Sequence, residues 1–162
     1  MTRPILNLSE LEFRDVGNGQ RFQARMGAIS PRIGALKLGY NLTVVPPGKR
    51  AFPAHEHRTN EEMFFVLEGS GEVRIGGETF PIRAGDVIAC PPSGGAHQII
   101  NTSDTELRYL AVSTKVYPEV VEYPDSGKFG VLAELPPGSD GKPRTFRFVG
   151  RAEQNVDYYD GE

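Results

Sequence analysis

One cysteine and three histidines are all that 162 residues contain of the strongest metal-binding and redox side chains. With Cys90 alone, no internal disulfide can close, and its place at the end of an apolar run reads as that of a small buried hydrophobe. Nowhere do about 18 apolar residues follow one another, which excludes a membrane-spanning helix. The opening MTRPILNLSELEF has no apolar core of the kind a secretory signal needs, so a reducing cytoplasm is the expected compartment. The three sequons, at Asn7, Asn41 and Asn101, are then coincidences of lettering. Also missing is a basic run. The 18 basic and 21 acidic residues are interspersed and sum to −3, so neither a phosphate backbone nor an anionic lipid surface is expected as a partner. A chain of this length buries roughly two-thirds of its unfolded surface and needs no metal to fold; a bound metal would be functional.

What the sequence has in quantity is turn formers, 19 glycines and 13 prolines, with short β-branched and aromatic segments between them. ALKLGYNLTVV alternates, and the face carrying Leu36, Leu38, Tyr40, Leu42 and Val44 is expected to point inward. EMFFVLE (62–68), DVIAC (86–90), AHQII (96–100) and ELRYLAVS (106–113) read as further strands. GEVRI and ETFPI flank Gly76-Gly77, a spacer suited to the primed turns of a hairpin. The spacing predicts an all-β sandwich or barrel. Three regions are expected: an N-terminal extension with an edge strand near Arg21–Met26 (1–30), the barrel (31–115), and an arm (116–162) packed over the barrel or a second subunit.

The chemistry gathers in HEHRTNEEMFFVLEG (55–69). Side chains two apart on a strand share a face, so His55 and His57 can address one ion. Either Glu61 or Glu62 can join them, since alternation leaves both on apolar faces. His97, after the turn in CPPSGGAHQIIN, can close the site. Glu56, Glu61 and Arg58 read as solvated loop charges, and Asn101 as a strand-end residue.

GKRAFPAHEHRTNEEMFFVLEG resembles the first motif of the cupin superfamily, with Gly48, His55, His57, Glu62 and Gly69 in the named places. GDVIACPPSGGAHQIIN resembles the second, with Gly85, Pro92, Gly94, His97 and Asn101. Each motif carries one extra residue after its leading glycine. The resemblance selects Glu62 over Glu61 and implies a single double-stranded β-helix (jelly-roll) barrel. It also implies one divalent metal ion (Mn, Fe, Ni, Co, Cu or Zn) on His55, His57, Glu62 and His97, and a homodimer. Small bacterial single-cupin proteins share the chain's length and tail pattern, and some are labelled sugar-phosphate-isomerase-like.

Three imidazoles and a carboxylate suit a borderline divalent ion with open positions for water or ligand. The expected partner is a small anionic or chelating molecule, and the expected role an isomerase, dioxygenase or lyase, with a non-catalytic binding or sensing module as the rival. Tyr40, Phe64 and Ile99, judged inward by alternation, are the expected apolar wall. No catalytic residue beyond the ligands can be named.

Overall fold

The computed structural model describes residues 3–162. In chain order its strands are β1 (Arg14–Gly17), β2 (Gln23–Ala28), β3 (Leu38–Val45), β4 (Glu56–His57), β5 (Glu62–Glu68), β6 (Ser70–Ile75), β7 (Glu78–Arg83), β8 (Val87–Cys90), β9 (His97–Ile100), β10 (Leu107–Thr114), β11 (Glu119–Tyr123), β12 (Lys128–Leu135) and β13 (Arg144–Arg151). One four-residue α-helix (Ser30–Ile33) and three short 3-10 turns complete the described secondary structure. The fold is all-β, and no described helix is long and apolar enough to cross a membrane.

Two layers enclose the core. One is the six-stranded sheet β1-β2-β3-β10-β5-β8. The other combines β7-β6-β9 with β13-β12-β11-β4, and an isolated bridge between His55 and His97 joins the two sets. That bridge is doubled, His55 N–H donating to His97 C=O at 3.1 Å and His97 N–H to His55 C=O at 2.8 Å. The seam of the second layer therefore carries two of the three histidines. At the β6–β7 hairpin, Gly76 and Gly77 both take positive φ, 56° and 99°, as a primed two-residue turn requires. Gly69 (φ 81°) turns β5 into β6 where a Cβ would strike the Glu106 carbonyl, so only glycine fits.

Between the layers, Val45, Phe64, Val66, Val73, Ile99, Leu107 and Tyr109 form the main core. Glu62 shares its face of β5 with the buried Phe64 and Val66, which turns its carboxylate inward. The opposite face of β5 is apolar for a different reason. Leu67, with Leu42, Tyr40 and Leu110, packs on Leu11, Phe13 and Ile29 of the N-terminal region in a second cluster outside the barrel. This corrects the expected orientation of β3. Tyr40 lies in the outer cluster, while Asn41, Thr43 and Val45 occupy the barrel side. Alternation misleads because both faces of the strand are covered and the inner one is the more polar.

The last third of the chain holds more regular structure than its turn-rich sequence implies. β11 pairs with β4 through Val121↔His57 and Glu122↔Glu56, and β12 and β13 continue the sheet as a hairpin.

Candidate metal centre

His55 precedes and His57 ends the short β4, His97 opens β9 and Glu62 opens β5, so three strands deliver four side chains to one point. There, Glu62 Oε2 lies 3.4 Å from His55 Nε2, 3.5 Å from His57 Nε2 and 2.9 Å from His97 Nε2. Donor atoms of His55, His57 and Glu62 all lie within 4.8 Å of one another, and His97 joins that group through Glu62. The outer edges of the rings are also held. His55 Nδ1 lies 2.9 Å from the Pro53 carbonyl, an acceptor only, so Nδ1 carries the proton and Nε2 presents its lone pair to the centre.

Behind His57 stands a residue the sequence reading missed. Glu119, nearly fully buried, places Oε2 3.4 Å from His57 Nδ1. Its carboxylate accepts from the backbone N–H groups of Arg58 (3.1 Å), Thr59 (3.1 Å) and Asn60 (2.8 Å), and from the Asn60 side-chain amide. An acid between Pro118 and two valines gives no signal by type or spacing. Only the β11–β4 pairing brings it to the site.

The electrostatics follow from crowding. Burial alone would raise the Glu62 carboxyl, but three facing imidazoles outweigh it and hold the group well below the usual carboxylate range. His57 is buried too, which lowers its pKa, yet Glu62 and Glu119 on either side raise it on balance. Burial, aided by repulsion from the other two histidines, keeps His97 below its ordinary value against the pull of Glu62. The Glu119 carboxyl, raised by burial, is brought down further by Asn60 and the backbone N–H groups.

Does this donor set fit a cation? Both His57 ring nitrogens are buried without a hydrogen-bond partner. Oε2 of Glu62 is an acceptor, and so is Nε2 of His55; lone pairs facing one another at these separations are unfavourable unless a positive charge lies among them. The separations of 2.9–3.5 Å also match the edges of a polyhedron with metal–ligand bonds of about 2.1 Å. The residues fit a divalent ion.

A cavity of about 330 Å³ opens over this centre. Phe64 and Ile99 line it as expected from alternation; Tyr40 does not, and Asn41 takes its place on β3. Gln98, Tyr123 and Arg147 line it as well, none of them flagged by a motif. Among the other residues weighed from sequence, Asn101 is fully buried and clamps the chain through Val45 and Thr105 carbonyls at 2.8 and 2.7 Å, a structural role. Glu61 is exposed, and Arg58 is half-exposed against Glu122 at 2.6 Å. Cys90 is buried, and burial pushes its thiol up to about 12, which removes it as a nucleophile.

An antiparallel double-layered barrel with histidines and a glutamate at one end defines the cupin class, and the comparisons agree. Residues 41–113 match the cupin domain family, and that stretch of the chain is a cupin domain. An oxalate-binding protein of Thermotoga maritima is 40% identical over 68 residues, 42% of this chain and 54% of that protein. The chain spans about half the length of the curated relatives it matches. Among solved structures, a sugar phosphate isomerase from a cupin superfamily of Silicibacter pomeroyi superposes with TM-score 0.76 at 22% identity, covering 97% of this chain and 98% of that one. A predicted oxalate decarboxylase of Thermotoga maritima gives TM-score 0.61 at 27% identity, covering 69% and 99%.

Proposed function

We infer that this cupin is a mononuclear divalent-metal protein acting on a small anionic or chelating metabolite. His55, His57 and His97 through Nε2, with the Glu62 carboxylate, would hold the ion. The carrying observation is the convergence of these acceptors on one point, with Nε2 of the buried His57, 3.5 Å from Glu62, lacking a hydrogen-bond partner. Such an ion, from the series Mn, Fe, Co, Ni, Cu and Zn, supplies Lewis acidity toward a carbonyl or bound water, or oxidative chemistry if it is iron.

The chain's own residues set the conditions for that chemistry. Glu62 remains ionised and offsets one of the two metal charges, which leaves a net positive site for an anionic ligand. Phe64 and Ile99 keep one wall dry, which strengthens the electrostatics within. Tyr109 also lines the cavity, but burial raises its hydroxyl well above the usual tyrosine range; near neutral pH it stays protonated and does not act as a base. Isomerase, dioxygenase and lyase chemistries are all compatible with this set. The names of the Silicibacter and Thermotoga proteins support small oxygen-rich substrates.

The same shortage of an independent acid or base favours a second reading, a metal-dependent binding module, supported by the oxalate-binding relative. Elemental analysis of protein purified without added metal comes first. The loaded protein is then incubated with sugar phosphates, keto acids and diols. Turnover that vanishes in Glu62→Ala establishes catalysis, stoichiometric binding without product favours the module, and failure to take up any divalent ion overturns both.

A further inference from the structure

The cavity above the histidines is roofed by strands that lie outside residues 41–113. Alternate residues of the β12–β13 hairpin turn toward it: Gly130 and Leu132 from one strand, Val149 and Arg147 from the other. Arg147 is the one lysine or arginine in the lining, and Glu62 the one acid. Glu62 is already engaged by three imidazoles, so the cavity offers Arg147 no counter-charge. Nor does the surface. Ion pairs engage Arg25, Arg58, Arg74 and Arg108, and among the described residues the Arg147 side chain makes neither an ion pair nor a hydrogen bond.

An exposed arginine without a partner is ordinary. This one stands with Gly130, Leu132 and Val149 on the face that the hairpin turns to the cavity, and a second unpaired donor belongs to the same lining. Tyr123 lines the same cavity, and its hydroxyl has no hydrogen-bond partner among the described residues. Burial raises the Tyr123 pKa while the charge of Arg147 lowers it. In the other direction the Tyr123 ring centroid is 6.3 Å from that of His55. Arg147 and Tyr123 thus line one cavity with the candidate metal ligands, and the Tyr123 ring stands one ring's breadth from His55.

We propose that Arg147 and Tyr123 form a distal oxyanion subsite, so that the ligand is a small two-headed acid. Oxygen donors at one end address the histidine–glutamate centre, and a carboxylate or phosphate at the other meets the guanidinium and the phenol. A planar guanidinium matches either oxyanion, and a charge-assisted contact of this kind is the stronger class of hydrogen bond. The first end rests on the metal reading above; the second rests on the hairpin alone.

The test is calorimetric binding to the Mn²⁺-loaded protein, with two pairs of acids that differ only in the distal anion. 2-Hydroxyglutarate against 2-hydroxypentanoate reports a carboxylate, and 3-phosphoglycerate against glycerate reports a phosphate. Wild type is expected to prefer the two-headed member of at least one pair by about tenfold or more. In Arg147→Met that preference falls to about twofold or less with metal content and thermal stability unchanged, Arg147→Lys keeps part of it, and Tyr123→Phe loses a smaller part. Wild type that does not discriminate within either pair, or a preference that survives in Arg147→Met, overturns the proposal. Protein that takes up no Mn²⁺ yet still prefers a two-headed acid through Arg147 sinks the metal reading and leaves the subsite standing.

Discussion

Glu119 Oε2 sits 3.4 Å behind His57 Nδ1, so a carboxylate on β11 backs an imidazole on β4. A proton on Nδ1 facing Glu119 leaves the Nε2 lone pair directed at Glu62, the form in which the ring binds a cation. The contact matters because Glu119 lies beyond residues 41–113: through it the C-terminal sheet would set the orientation of a side chain inside the cupin domain.

A double-mutant cycle tests this link. Glu119→Gln is expected to weaken metal affinity by about 10- to 100-fold when His57 is present, because the amide can offer His57 a donor in place of an acceptor. In a His57→Ala background the same substitution should cost little affinity, although it still disturbs the N–H groups of Arg58, Thr59 and Asn60. Competition against a chromophoric chelator measures both. Equal losses in the two backgrounds would assign Glu119 to the fold alone.

Acid should strip the metal before it unfolds the chain. Protons compete with the ion for each Nε2 lone pair, so affinity falls as the pH drops below the ordinary histidine value of about 6.5. Dialysis at about pH 5, followed by elemental analysis and circular dichroism, is expected to give metal-free protein with its strand spectrum intact. Metal fully retained there would refute imidazole ligation.

The sign for His97 in the metal-free protein runs the same way. Its folded pKa lies below the unfolded value, so at pH near 6 the unfolded chain takes up a proton that the folded chain refuses. Stability from this source is present above about pH 6.5 and is lost as the pH falls below it. Replacing the ring by Asn should flatten the dependence, so the Tm of wild type relative to His97→Asn is expected to decline from pH 8 to pH 5.5. A difference that grows in that direction would show that His97 is charged in the fold.

How much of this could be read from the letters depends on range. Strands with local punctuation were legible: Gly76-Gly77 marks the hairpin, and the runs after Glu62, Asp86, Ala96 and Glu106 become β5, β8, β9 and β10. Both motifs brought His55, His57, Glu62 and His97 into view because they are densely spaced and include every histidine in the chain. What was not legible depends on pairing between distant segments. Glu119 reaches His57, and Tyr123 and Arg147 reach the cavity, only because β11 joins β4 and the β12–β13 hairpin extends that sheet, in a region whose prolines and glycines read as an arm packed over the barrel or a second subunit. Alternation places Tyr40 on the wrong face because it reports that one face is apolar, and cannot report which of two covers it meets.

The outward face of β3 bears on stability and not on the metal centre. Leu42, about 1% exposed, faces the outer cluster with Leu11 and Ile29, away from the histidines. Leu42→Ala removes most of a buried side chain where β3 is clamped between β2 and β10, which limits collapse into the space, and about 2–5 kcal/mol of unfolding free energy should be lost. The loss ought to leave metal affinity within about twofold of wild type, since the neighbours on the opposite face, Asn41 and Thr43, keep their backbone positions if the strand holds its register. Chemical denaturation and the chelator competition, run on the same preparation, separate the two quantities. A large fall in metal affinity with little loss of stability would mean that the Leu42 face, and with it the N-terminal extension, couples to the site and does not simply cover the barrel.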